Sequence, residues 1–87
     1  MNLEELRKRA EAYRIAETFV FAKEVTSQRI RLYNGYITKV HEDLIIIFDI
    51  EDKREIPLPV DFIVMLEPSE RNESVARNIW GEWKDGK

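Results

Sequence analysis

Few residues in this chain are of the types that usually carry out chemistry. The only histidine, His41, lies in a predicted turn beside Glu42 and Asp43, where the three side chains could share a proton or meet a cation. Metal sites generally need three or four converging ligands with partners of their own, so we interpret this turn as solvated. We therefore predict no metal site and no cofactor.

A second acidic group surrounds the next predicted turn, and its members are Asp49, Glu51, Asp52 and Glu55. The spacing and the glycine of an EF-hand calcium loop are missing. We predict that these carboxylates are edge charges that discourage aggregation between sheets. The serines at positions 27, 69 and 74 have no evident base, so we predict no catalytic residues and no enzymatic activity.

One stretch combines positive charge with aromatic rings. In a strand that begins at Arg29, we expect Arg29, Arg31 and Tyr33 to project together from the outer face, with two more residues across a hairpin. Unpaired bases stack on exposed aromatic rings, so this face is a candidate site for single-stranded nucleic acid. The alternative is a polar face that pairs with neighbouring carboxylates. The candidate residues are Arg29, Arg31, Tyr33, Tyr36 and Lys39.

Two tryptophans near the end of the chain offer large amphipathic surfaces of the kind that anchor interfaces. Trp80 and Trp83 are three residues apart, with Val75 and Ile79 on the preceding turns of a predicted helix. They either contact a partner, including a second copy of the chain, or fold back onto the sheet. Val75, Ile79, Trp80 and Trp83 are the predicted protein interface.

The composition describes one small domain. Eighty-seven residues expose much surface per unit volume, and without cysteine no disulfide can add stability, so we expect association with another protein or copy. Residues 1–40 hold eight Lys/Arg and five Asp/Glu, and residues 41–87 hold six and twelve. The net charge of −3 argues against indiscriminate binding to phosphate backbones, although the basic first half leaves a local patch open.

No apolar run approaches the roughly 20 residues that span a bilayer. The first five residues are acidic, whereas a secretory signal is basic and then apolar. We expect a cytoplasmic protein without a membrane partner.

An amphipathic helix is predicted at the N-terminus, over residues 1–25. Asn2 followed by Glu5 is typical of a capping box, and apolar residues recur at helical spacing up to Tyr13. Residues 18–21 are β-branched or aromatic and could instead open a strand, but we favour continuation of the helix.

Five short strands are predicted over residues 28–66. They are residues 29–33, 36–40, 44–50, 55–58 and 62–66, with a tight hairpin turn at Asn34-Gly35 and a bulge or bend near Thr38. Ile30 and Leu32 should share one face of the first strand. A single 3₁₀ turn is expected after Pro59, because prolines belong at the edge or end of a strand.

The third of these strands decides the architecture. Residues 44–48 are apolar at successive positions, which a strand tolerates only when protein covers both of its faces.

A second helix is predicted over residues 69–81, with Ser69 as its cap and Gly81 as its end, followed by a flexible tail over residues 82–87.

The run Gly35-Tyr36-Ile37-Thr38-Lys39-Val40, which leads into Asp43-Leu44-Ile45, resembles the second and third strands of Sm-like proteins, within the wider SH3-like family of small barrels. The helix, the bent second strand and the small turn before the last strand are also similar. The resemblance implies a fold and a tendency to form rings or pair edges. The uracil-contacting aspartate and asparagine of that family, and its arginine-glycine pair, correspond here to His41, Ile45 and residues 59–61, so its RNA site is not reproduced.

The sequence thus predicts an α+β domain, in which an N-terminal helix precedes a bent five-stranded antiparallel barrel of SH3-like or Sm-like type and a short C-terminal helix. The first functional hypothesis is a non-enzymatic interaction and assembly module that self-associates or docks on a protein partner through sheet edges, the long apolar strand and the tryptophans. The alternative is an RNA or single-stranded nucleic-acid binder.

Overall fold

A computed structural model describes residues 2–86 and shows two helices flanking a five-stranded antiparallel sheet. The predicted α+β class is confirmed. The elements are α1 (Leu3–Ala16), β1 (Val20–Val25), β2 (Ile30–Val40), β3 (Leu44–Asp49), β4 (Arg54–Pro59), a 3₁₀ turn (Val60–Phe62), β5 (Ile63–Pro68) and α2 (Glu73–Asp85).

The first helix begins as predicted but ends nine residues early. Asn2 caps it by accepting a hydrogen bond from the Glu5 N–H at 2.8 Å. Glu17 then adopts a left-handed conformation with φ 51°, and its N–H closes the last turn on the Arg14 carbonyl at 3.2 Å. The prediction of helix as far as residue 25 is therefore wrong, because the β-branched and aromatic run from Thr18 opens β1. Met1 lies outside the described residues.

The predicted hairpin turn at Asn34-Gly35 is also wrong, because β2 runs straight through both residues. Gly35 is paired with Val20 of β1 and with Asp49 of β3, so the two ladders meet at this residue. Strand β2 therefore belongs to two three-stranded halves, one with β1 and β5 and the other with β3 and β4. The predicted irregularity near Thr38 is confirmed, since the β2–β3 register shifts between Ile37 and Lys39.

The sheet curls around one apolar cluster without closing. Its strand order is β4-β3-β2-β1-β5, and the two edge strands share no ladder. All five strands, the 3₁₀ turn and α1 contribute to the main core, which consists of Leu6, Ala10, Val20, Ala22, Tyr33, Ile37, Ile45, Ile47, Leu58, Val60 and Leu66. The fold is thus compatible with a small barrel whose sheet remains open.

The opposite face of the sheet carries a second cluster beneath α2. This aromatic cluster consists of Phe19, Tyr36, Phe48, Ala76 and Trp80. Strand β3 contributes Ile45 and Ile47 to the main core and Phe48 to the aromatic cluster, so the prediction that protein covers both of its faces is confirmed. The 3₁₀ turn predicted after Pro59 is also present.

Helix α2 begins and ends later than predicted. Asn72, not Ser69, is its cap and accepts a hydrogen bond from the Ser74 N–H at 2.9 Å. The helix continues through Gly81 to Asp85, so the predicted flexible tail is helical over most of its length. Packing of Trp80 and Trp83 on the sheet offsets the roughly 1 kcal/mol that a glycine costs inside a helix. Lys87, also assigned to that tail, lies outside the described residues.

Candidate interaction surface

An apolar surface lies on the half of the sheet that α2 leaves uncovered. Side chains alternate along β2, so Leu32 and Ile30 point to the same side of the sheet as Tyr36. Helix α2 covers Tyr36 but does not cover these two residues. Their exposed fractions are 59% and 62%. Directly opposite them on β1 are Lys23 and Val25, and Met65 of β5 lies opposite Lys23 on its other side.

Strand β5 extends this surface through a bulge. The β1–β5 register shifts between Lys23 and Glu24, which leaves Val64 as the extra residue between Ile63 and Met65. Ile63 packs against the main core, whereas Val64 is 51% exposed. The strand patch is defined here as Val25, Ile30, Leu32, Val64 and Met65.

Sequence reasoning missed the strand patch because alternation does not reveal which face is covered. Ile30 and Leu32 do share a face, as predicted, but it is the outer one. Tyr33, placed on the outer face with the arginines, is 7% exposed and belongs to the main core. The available signal was that Ile30 and Leu32 alternate with the arginines Arg29 and Arg31, so that one face of this strand end is apolar whichever way it points.

The predicted basic and aromatic face is divided by the structure. Arg29 and Arg31 are exposed and lie near the Tyr33 phenol, whose pKa is raised by burial and by the Glu24 carboxylate. Tyr36 is fully buried on the opposite face, where its ring stacks on Trp80 with centroids 4.8 Å apart. Burial raises the pKa of Tyr36 to about 12. A continuous strand places residues three apart on opposite faces, so Tyr33 and Tyr36 cannot form one stacking platform.

Lys39, the last residue of that predicted face, lies apart from the others. It lines a groove of about 790 Å³ between the C-terminal ends of α1 and α2, together with Ile15 and Trp83. Both charge signs line this groove, since Glu17 and Glu55 face Arg14, Lys39 and Lys84. The groove therefore favours no particular charge of ligand.

The tryptophans fold back onto the sheet. Trp80 is 6% exposed, and Trp83 is half-buried with its ring 4.5 Å from that of Phe48. Ile79 packs against the same aromatic cluster. Among the four residues of the predicted interface only Val75 is exposed, at 64%.

Glu17 links the end of α1 to α2. Its carboxylate accepts a hydrogen bond from the Trp80 indole N–H at 2.8 Å and forms an ion pair with Lys84. The bonds from Lys84 and Trp80 lower the pKa of Glu17. The left-handed backbone at Glu17 is costly for a residue with a Cβ, and these two bonds to α2 help to hold it.

The acidic group around the β3–β4 turn has a structural role at one position. Asp49 is 5% exposed, and its carboxylate accepts the Asp52 N–H at 2.9 Å, which fixes the turn. Burial raises the pKa of Asp49. Its assignment as an edge charge is therefore wrong, because the side chain is buried and bonded to the backbone of Asp52 and Asn34. Within residues 2–86, no three acidic or histidine side chains converge as a metal site would require.

Groups at each edge of the sheet limit its pairing with a further strand, most of all at β4. Pro57 and Pro59 lie opposite Ile46 and Leu44 of β3, and a proline within such a ladder occupies a position whose missing N–H would face outward. Strand β4 therefore offers few donors to a further strand. On β5, the Arg9 guanidinium donates to the Leu66 carbonyl at 3.4 Å. The strand patch presents side chains on the face of the sheet, not the backbone groups of either edge.

The chain matches no protein-family model and no curated protein. In the described part of the chain, neither helix combines the length and apolar character needed to cross a bilayer.

Proposed function

We propose that this chain is a non-enzymatic interaction and assembly module that binds protein through the strand patch. The observation that carries the proposal is that Ile30 and Leu32 of β2 and Val64 of β5, the two strands that flank β1, are each more than half exposed. Single exposed apolar residues are ordinary, but several on one face of a sheet mark an interaction surface.

The resemblance to Sm-like barrels supports an assembly role at the level of the fold. The long bent second strand and the single 3₁₀ turn before the last strand are the features that carry this resemblance. The prolines of β4, however, remove outward donors from one edge of the sheet, which directs the proposal to the sheet face rather than to edge pairing.

Binding of single-stranded RNA has less support. Base stacking needs an exposed ring, and Tyr33 and Tyr36 are both buried, so the basic stretch offers Arg29 and Arg31 without a platform. This alternative would be favoured if labelled RNA bound to the chain, and if the affinity fell with added salt and in the variant Arg29→Ala/Arg31→Ala.

Replacement of Leu32 by aspartate tests the proposal. The side chain is 59% exposed, so the fold should tolerate the change within about 0.5 kcal/mol, while a charge in the centre of the strand patch should abolish association. The measurement is sedimentation velocity of the purified chain, combined with capture of partners on immobilised wild type and variant.

Val75→Asp is the matched control, because Val75 is exposed to a similar degree but lies on α2 outside the strand patch. We expect wild type and Val75→Asp to bind the same partner, whether that is a foreign protein or a second copy of the chain. Leu32→Asp should lose this binding. Equal binding by Leu32→Asp, or loss in Val75→Asp alone, would contradict the proposal.

A further inference from the structure

We infer that a small pocket beside the strand patch binds a basic peptide segment, with a main-chain carbonyl of that segment bonded to the side-chain amide of Asn34. This inference rests on the proposed function for the source of the segment, which is the partner protein. The evidence is a buried amide group without an acceptor, two carboxylates without an ion pair, and the position of the pocket next to the strand patch.

The pocket lies between the outer face of the sheet and the segment that joins β5 to α2. Its volume of about 320 Å³ is near the lower end of the roughly 300–1,000 Å³ of ligand pockets. Asn34 and Glu67 both lie opposite Phe21, so the three form one row across the sheet. Leu32 and Met65 of the strand patch belong to the next row, about 7 Å along the strands. A partner that covers the strand patch is therefore close enough to reach the pocket.

Asn34 supplies hydrogen-bond donors that the chain itself does not use. The residue is 8% exposed, and its Oδ1 accepts the Ser69 hydroxyl at 3.1 Å. The Ser69 oxygen in turn accepts the Arg71 N–H at 3.2 Å, so the loop holds the amide in one orientation. Within residues 2–86, no acceptor is bonded to the Asn34 NH₂ group, and no unpartnered polar side-chain atom is sealed from solvent. The NH₂ group therefore opens onto the pocket that Asn34 lines.

The charges around the pocket favour a neutral acceptor with a positive group beside it. Glu67 and Glu70 line the pocket, and the ion pairs of residues 2–86 include neither carboxylate. Lys23, the diagonal neighbour of Glu67, forms no ion pair with it. The Arg71 guanidinium is bonded to Glu51 at 3.2 Å. An anion bonded to the buried amide would face both free carboxylates, whereas a carbonyl carries no net charge.

A peptide segment with a lysine or an arginine supplies both groups. Each of its residues has a main-chain carbonyl that can accept from an amide NH₂ group. Its ammonium or guanidinium group can pair with Glu67 or Glu70. A partner on the strand patch also displaces water from Asn34, and a buried donor left without an acceptor is costly. We therefore expect the segment beside the strand patch to place a carbonyl at Asn34 and a basic side chain next to it.

Titration of the isotope-labelled chain with a capped tripeptide that has lysine at its centre tests the inference. The readout is the pair of side-chain amide signals of Asn34, assigned by triple-resonance spectroscopy. A carbonyl bonded to the NH₂ group should shift these signals in a saturable way, with a dissociation constant of about 1–10 mM, because a tripeptide makes few contacts. The same tripeptide with glutamate at its centre should bind at least about fivefold more weakly.

Variants of exposed residues test the contribution of the carboxylates without disturbing the fold. Glu67→Gln and Glu70→Gln should each weaken binding of the lysine tripeptide about threefold. Glu82→Gln is the control, because Glu82 is exposed on α2 and does not line the pocket, so binding should be unchanged. Asn34 signals that do not move, equal binding of the two tripeptides, or an equal loss in Glu82→Gln would overturn the inference.

The strand patch and the pocket can be tested separately. Leu32→Asp leaves the pocket residues in place, so it should bind the lysine tripeptide at least as well as wild type. Capture of a partner that Leu32→Asp abolishes, without binding of the tripeptide at Asn34, overturns the inference while the proposed function stands. Tripeptide binding at Asn34, together with capture that Leu32→Asp leaves intact, supports the pocket and contradicts the proposed function.

Discussion

Gly35 permits the close approach of strands β2 and β3. A Cβ added there would lie 1.8 Å from the Phe48 carbonyl oxygen, so the glycine is required by close approach of two backbones. We expect Gly35→Ala to destabilise the protein by about 3 kcal/mol or more, because a backbone contact cannot relax as a flexible side chain does. Chemical denaturation followed by circular dichroism measures the change.

Gly81→Ala is the control for that substitution. A Cβ at Gly81 meets nothing within 4 Å, and the residue lies inside α2. Alanine should therefore stabilise the protein by about 0.5–1 kcal/mol through helix propensity. A small or favourable effect of Gly35→Ala would show that the two strands can separate at this point.

At the scale of elements, Glu17 connects two helices that are remote in sequence. Because its pKa is lowered in the folded protein, the carboxylate contributes stability that is fully present above its ordinary value of 4.5 and is lost as the pH falls through the lower folded value. We expect the free energy of unfolding to decrease with acidity in this range, and Glu17→Gln to weaken that dependence. Denaturation at a series of pH values measures it.

Lys84→Met separates the two bonds to Glu17. It removes the ion pair, the largest cause of the lowered pKa, and leaves the Trp80 N–H in place. In Lys84→Met, the decrease of the free energy of unfolding with acidity should be intermediate between that of wild type and that of Glu17→Gln. An unchanged pH profile in Glu17→Gln would contradict the stabilising role of this contact.

Some features of the helices and strands could be predicted from the sequence, and others could not. The coverage of β3 on both faces and the cap at Asn2 follow from local patterns, and both were predicted correctly. The path through Asn34-Gly35 was not, because a glycine needed for close approach looks the same in sequence as one needed for a turn. Likewise, Tyr36 and Trp80 stack across 44 residues of sequence, a contact that no local spacing encodes.

The interaction surface was harder to predict than the core for a related reason. Whether an apolar residue is buried depends on how far α2 reaches over the outer face, and that distance is set by tertiary packing at Trp80. Leu32 and Tyr36 lie on the same face of one strand, yet only Tyr36 is covered. Alternation identifies the face, and the reach of α2 decides which part of it stays free.

At the scale of the whole molecule, self-association through the strand patch, as one form of the proposed function, would be linked to stability. If only the folded chain associates, a protein concentration about ten times the dissociation constant leaves about one fifth of the chains as free monomer and adds about 1 kcal/mol per chain. For a domain of this length, that corresponds to a rise in Tm of roughly 5 °C. Differential scanning calorimetry over a hundredfold range of concentration should show this rise in the wild type.

Two variants give the same experiment its controls. Leu32→Asp, which places a charge in the strand patch, should have a Tm that does not change with concentration, whereas Val75→Asp should keep the dependence of the wild type. A wild-type Tm that is constant while sedimentation detects a dimer would mean that unfolded or partly folded chains associate equally well. In that case the strand patch, which exists only when β1, β2 and β5 are paired, could not be the contact.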